Sequence, residues 1–167
     1  MPPIEQCCCF TGHRKIPAGM HVLLADRVET AVLSLYHRGV TTFYAGGAFG
    51  FDLLASVTLL NLKSIHPDLS LLLALPCRDH DAQWNDDDRD VMKRVTSRAD
   101  GVVYVSEDYS SGCMMKRNRY MVDRSLYCLC YLTEEKGGTA STVRYAEKKN
   151  RIVENLAPGS LSQLSLL

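Results

Sequence analysis

Glycines placed just after short apolar runs most restrict the folds open to this chain. Six runs have strand length and composition: Gln6–Phe10, Thr41–Ala45, Leu69–Leu75, Gly101–Val105, Ser125–Leu132 and Arg151–Leu156. Between them lie stretches with helical spacing. Pro17–Arg38 places apolar residues at Val22, Leu23, Ala25, Val28, Ala31, Val32 and Leu35, and Gly39 closes it. Phe51–Leu62, Asp86–Arg98, Cys113–Asp123 and Thr139–Asn150 read as the remaining helices. Pro67 and Pro76 bracket Leu69–Leu75 too tightly for a helix. Regular alternation of strand and helix predicts an α/β fold: a doubly wound, mainly parallel sheet with helices on both faces. In such sheets ligands bind beyond the carboxyl ends of the strands, at the point where strand order reverses. The glycines sit there, so the residues beside them are the candidates for function.

Composition narrows the class. The chain has 167 residues, enough for one domain, and nothing in it reads as a linker or repeat. With 46% hydrophobic and 23% charged residues it is not a disordered protein. No apolar run reaches the roughly 18 residues of a membrane span. Met1–Glu5 lacks the basic and apolar regions of a signal peptide, so a cytoplasmic protein is expected. Nineteen basic residues balance nineteen acidic ones. That argues against bulk attraction to nucleic acid or membrane, while leaving room for a local phosphate site. The seven cysteines form no CxxC pair, and neighbours in Cys7-Cys8-Cys9 point to opposite faces of a strand. They read as reduced core residues rather than metal ligands.

Five motifs carry chemistry. Thr11-Gly12-His13-Arg14 follows the first strand, and Arg14 is suited to gripping a phosphate. Gly46-Gly47-Ala48-Phe49-Gly50-Phe51-Asp52 joins the second strand to a helix, where backbone amides can face an anion. Two roles are open to Asp52, capping that helix or binding a ribose hydroxyl. Trp84 lies in the acidic stretch 79–90, either to stack on a base or to anchor the loop to the core. Lys116-Arg117-Asn118-Arg119 is the densest basic cluster, and helical spacing sends residue 117 to a different face from 116 and 119. Gly137-Gly138-Thr139-Ala140-Ser141-Thr142 is a glycine turn opening a helix rich in hydroxyls. It reads as a phosphate cradle, or as an ordinary cap by Thr139.

Together these motifs resemble the YpsA-like proteins of the SLOG superfamily. The resemblance rests on Phe10–Arg14, Gly46–Asp52, Arg117–Asp123 and Gly137–Thr142, in that order. It implies one Rossmann-like domain over residues 1–157, with a tail at 158–167, and a nucleotide or nucleotide-derived ligand. NAD- or ADP-ribose-like molecules fall in that class. The superfamily includes the LOG-type phosphoribohydrolases, whose helix Met-x-x-Arg-Lys-x-x-Met is matched here by Met114–Met121, with the arginine at Arg117. Their catalytic glutamate position is filled by Arg144. An arginine does not support an oxocarbenium-like centre or activate water. The resemblance therefore implies a binding protein, a sensor or regulator, ahead of a nucleotide N-glycosidase with altered residues. It also includes the DprA proteins, which bind single-stranded DNA. That makes nucleic acid a further candidate partner, and a homodimer is compatible with the family.

Overall fold

A computed structural model describes residues 1–159, so positions 160–167 of the expected tail lie outside the described residues. A 3-10 turn at Ile4–Gln6 precedes β1 (Cys7–Gly12). The chain continues through α1 (His21–Tyr36), β2 (Thr42–Ala45), α2 (Phe51–Lys63), β3 (Ser70–Leu75) and α3 (Asp86–Arg98). It ends with β4 (Gly101–Tyr104), α4 (Cys113–Asp123), β5 (Tyr127–Tyr131), α5 (Gly138–Lys148) and β6 (Ile152–Asn155). The strands form one sheet in the order β4-β3-β2-β1-β5-β6, every pair parallel. This is a Rossmann-like α/β fold.

The elements fall where the sequence predicts them, with two local differences. The first helix starts at His21, because Pro17–Met20 closes as a turn with Gly19 at φ 83°. The last helix starts at Gly138 and is preceded by Gly137, so Thr139 is not its cap.

The order of strands places the site. From β1 the chain winds outward through β2, β3 and β4, then returns to lay β5 on the other side of β1. The loops after β1 and β5 therefore diverge, and a crevice opens between them. α1, α2 and α3 cover one face and α4 and α5 the other. Strand β1 is buried on both faces, with Cys8 and Phe10 toward α1–α3 and Cys7 and Cys9 toward α4–α5. All seven cysteines are buried and unpaired. Burial drives the Cys130 thiol up to about 12, and the neighbouring Cys9 thiol together with burial raises Cys128 well above its usual range. Thiols held protonated in this way pack as small apolar groups.

A run of aromatic rings ties the central strand to its neighbours. Phe10 stacks on Phe43 of β2 at 5.7 Å and meets Phe51 of α2 edge-on at 6.3 Å, and Phe51 stacks on Tyr131 of β5 at 6.1 Å. Phe10→Ala is expected to lower unfolding free energy by about 3–5 kcal/mol, because the rigid neighbours cannot close the hole. Urea denaturation checks it; a loss below about 1 kcal/mol contradicts the packing described.

Candidate functional site

At the switch point a cavity of about 310 Å³ opens among the carboxyl ends of β1 and β2, helix α4 and the start of α5. Ten of the residues singled out from the sequence line it: Thr11, Gly12, His13, Arg14, Ala48, Asp52, Arg117, Asn118, Gly138 and Thr139. Met114, one helical turn before Arg117, lines it as well. The i, i+3 spacing from Arg117 on α4 is the sequence signal that could have found it.

Asp52 sits at the floor and is only 5% exposed. Its carboxylate accepts from the amide of Ala48 at 3.4 Å and from that of Gly46. The glycine loop after β2 thus turns its amides onto the protein's own anion. They are not free to hold a phosphate, and Gly46 and Gly47 do not reach the cavity. Gly50 has φ 81° and packs against the backbone of Arg14, leaving no room for a side chain. Burial pushes the Asp52 carboxyl up to about 6, against the opposing pull of Arg117, the two amides and Arg14.

Arg117 faces inward and is 4% exposed. It donates to the carbonyl of Gly46, to Asn118 Oδ1 at 2.7 Å and toward the Met114 sulfur at 3.8 Å. A Cβ at Gly46 would run into this guanidinium. Burial pulls Arg117 below its usual value, and Asp52 opposes that shift. Arg117 is therefore first a structural counter-charge to Asp52 and only then a wall of the cavity. The other cations of α4 turn outward, with Arg119 lying over the ring of Tyr145 at 5.0 Å.

The loop after β1 is fixed by its backbone. His13 bonds Tyr131 of β5 and receives the amide of Phe51, while its Nε2 accepts from the amide of Thr133 at 2.8 Å. That acceptor role leaves the ring hydrogen on Nδ1. Arg14 is exposed, over the Phe49 ring at 5.4 Å and 4.0 Å from the Met114 sulfur. Across the cavity, α5 begins with Gly137 at φ 102°. No side chain caps it, no acid lies in its first turn, and a Cβ at Gly137 or Gly138 would meet nothing within 4 Å. Thr142 donates to the carbonyl of Gly138 inside the helix and does not reach the cavity.

The YspA SLOG family profile matches residues 9–157. The chain belongs to the YspA SLOG family. Among its relatives, the SPbeta prophage-derived protein YoqJ of Bacillus subtilis strain 168 is 31% identical over 118 residues, 64% of this chain and 69% of that protein. A UPF0398 protein of Bacillus cereus strain B4264 is 26% identical over 155 residues, 87% of this chain and 84% of the relative. Among solved structures, DNA processing protein A of Helicobacter pylori superposes with a TM-score of 0.64 at 16% identity, over 98% of this chain and 71% of that one. That of Streptococcus pneumoniae gives 0.66 at 14%, over 94% and 52%. At such identities the likeness is one of fold. No helix among the described residues is long and apolar enough to cross a membrane.

Two residues of this family member sit elsewhere than the motifs suggest. Trp84 lies outside the cavity, edge-on to Phe49 and to His80, each at 5.4 Å. His80 Nε2 in turn donates to the Gly47 carbonyl at 3.1 Å, and burial lowers its pKa. Trp84 thus buttresses the glycine loop and the ring beneath Arg14. Arg144 is exposed and donates to the carbonyl of Glu135 and the hydroxyl of Ser141, outside the cavity.

The Asp52 environment generates a test with a defined sign. Its folded pKa of about 6 lies above the reference value of 3.8, so the native state holds its proton more tightly. The contribution favours folding below pH 3.8 and is lost as pH rises through 6. Measured against Asp52→Asn, the wild type is expected to lose about 2 kcal/mol of stability between pH 4 and pH 8. A flat or opposite difference in denaturation free energy over that range contradicts the burial of a charged Asp52. Arg117→Ala is expected to cost about 3–5 kcal/mol, by removing its buried bonds to Gly46 and Asn118 and the positive charge that favours the Asp52 carboxylate, and adding Asp52→Asn recovers part of it. Additive losses in the double variant contradict the pairing.

Proposed function

We propose that this protein binds a small phosphorylated nucleotide or nucleotide derivative in the switch-point cavity and acts as a sensor or regulator of that ligand. The observation that carries this reading is the contrast between two glycine turns. The loop after β2 gives its Gly46 and Ala48 amides to the buried Asp52, whereas the start of α5 is uncapped, opens with Gly138 and faces a cavity that also holds Arg14. Free amides and the helix dipole attract an anion there. Arg14 closes on the phosphate from the other side, giving up only soft contacts with Phe49 and Met114. On this reading Asp52 and His13, which line the same cavity, would meet the sugar hydroxyls. The volume, about 310 Å³, is at the small end for ligand sites and suits a mononucleotide or phosphosugar part. A larger NAD- or ADP-ribose-like molecule would extend past Phe49.

A thermal-shift screen against nucleoside mono- and diphosphates, cyclic nucleotides, NAD and ADP-ribose tests it, with single-stranded DNA in parallel because the Helicobacter pylori protein binds it. A ligand at 100 times its Kd adds about 2.7 kcal/mol. Arg14→Ala is expected to weaken the hit by about 1.5–3 kcal/mol without changing the ligand-free melting temperature. No shift with any small phosphorylated molecule, or salt-sensitive retention of DNA alone, overturns the reading.

One observation favours a second reading, hydrolysis of an N-glycosidic bond. Asp52 is the carboxylate that lines the cavity, and a pKa near 6 suits proton transfer at neutral pH. Water would add to the sugar C1′, Asp52 would take its proton, and the base would leave as the C–N bond breaks. Chromatography of nucleotide mixtures is expected to show free base that disappears in Asp52→Asn. Binding without base release in the wild type leaves the protein a binder.

A further inference from the structure

Three helices cover one face of the sheet and two the other, and the shortfall falls on β4. This strand lies at the edge, beside β3. Val102 and Tyr104 pack against the α1–α3 core. Val103 points to the opposite face and is 43% exposed. Beside it runs a groove of about 490 Å³ walled by Val105 and by Met115 and Tyr120 of α4. The amide of Val105 donates to Leu75 of β3, so by strand alternation Val103 is bonded to β3 and the amides and carbonyls of Val102 and Tyr104, on either side of it, face outward. Edge strands usually carry charges or prolines that discourage pairing. Gly101–Val105 has neither, whereas the opposite edge, β6, carries Glu154.

We propose that β4 is the surface through which two copies of this chain associate, edge to edge and antiparallel about a two-fold axis at Val103. Charge selects a second copy in that orientation. The chain enters β4 from α3 with Arg94 and Arg98 exposed, and leaves it with Glu107 and Asp108 exposed. Antiparallel pairing centred on Val103 sets Gly101 opposite the partner's Val105. It brings the Arg98 end of each strand to the partner's Asp108, twice by symmetry. A parallel alignment would set like charges together. Pairing covers Val103 and extends the groove floor across the axis. Four residues of strand make a small interface, so the dimer depends on concentration. The cavity at β1 and β5 is remote from this edge, so the proposal stands apart from the ligand.

Sedimentation of the full chain tests it. A dimer is expected to form at concentrations on the order of 100 µM. Val103→Lys is expected to weaken it at least about tenfold, as a charge on an edge strand does, while leaving the melting temperature unchanged. Asp108→Arg is expected to weaken it as well, and the double variant Arg98→Asp, Asp108→Arg to restore it. A monomer throughout that range overturns the proposal. So does a dimer that ignores Val103→Lys, or a double variant no better than Asp108→Arg.

Discussion

The buried carboxylate of Asp52 is the group on which the rest of the site depends. A charge so deep needs partners, and the chain supplies two amides and a guanidinium. The amides come from a loop that must pass close to Arg14 and Arg117, which is why glycine stands at 46 and 50. Arg117 must also be buried, so it takes the Gly46 carbonyl and Asn118 as further partners. Even so, burial wins over these interactions and holds the carboxyl near 6. A hydrophobic residue would fill the same space with less cost to stability. A group kept at such expense in a cavity wall marks a functional site more strongly than any single glycine motif.

Topology explains why the two glycine turns facing this region differ. β1 is the hinge of the winding order, and β2 and β5 lie on either side of it. The loop after β2 runs back over β1 and is tied down by His13, Phe51 and Asp52. The loop after β5 belongs to the other half of the sheet, and its helix begins at the far wall of the crevice. One wall is therefore rigid and charge-balanced internally, while the other offers unsatisfied amides to whatever enters. A phosphate bound there would occupy the α5 amides as Asp52 occupies the loop amides of Gly46 and Ala48.

Much of this was legible in the sequence, because strand runs and glycine turns are local signals. Periodicity located all six strands and five helices, and alternation alone implied the parallel sheet. The placing of Arg117 on its own face of α4 followed from helical spacing. What was not legible is how loop amides are allotted. Gly46, Gly47 and Gly137 look alike as glycine turns, yet Gly46 serves a buried acid, Gly47 takes the His80 ring on its carbonyl and Gly137 opens a helix with free amides. That distinction is set by the position of Asp52 in three dimensions. Of the two roles open to Trp84, the structure shows the anchor, and the sequence did not separate them for a related reason. Its partners Phe49 and His80 come from different loops, so an indole among acids in sequence is packed against rings in space. Phe49 beneath Arg14 left no sequence signal, since a cation–π contact across 35 residues of chain has no fixed spacing.

The replacement of glutamate by Arg144 gains meaning once its side chain is placed. It does not turn a cation onto the ligand; it leans away and binds its own loop. The acidic function is thereby removed from α5 without disturbing the open amides at the helix start. The carboxylate that lines this cavity is Asp52, in the first turn of α2. A ligand held by its phosphate at α5 would present its sugar toward that helix. On the proposed reading the fold would keep an anion site at α5 and carry its titratable group on α2, separating how tightly a ligand is held from what is done to it.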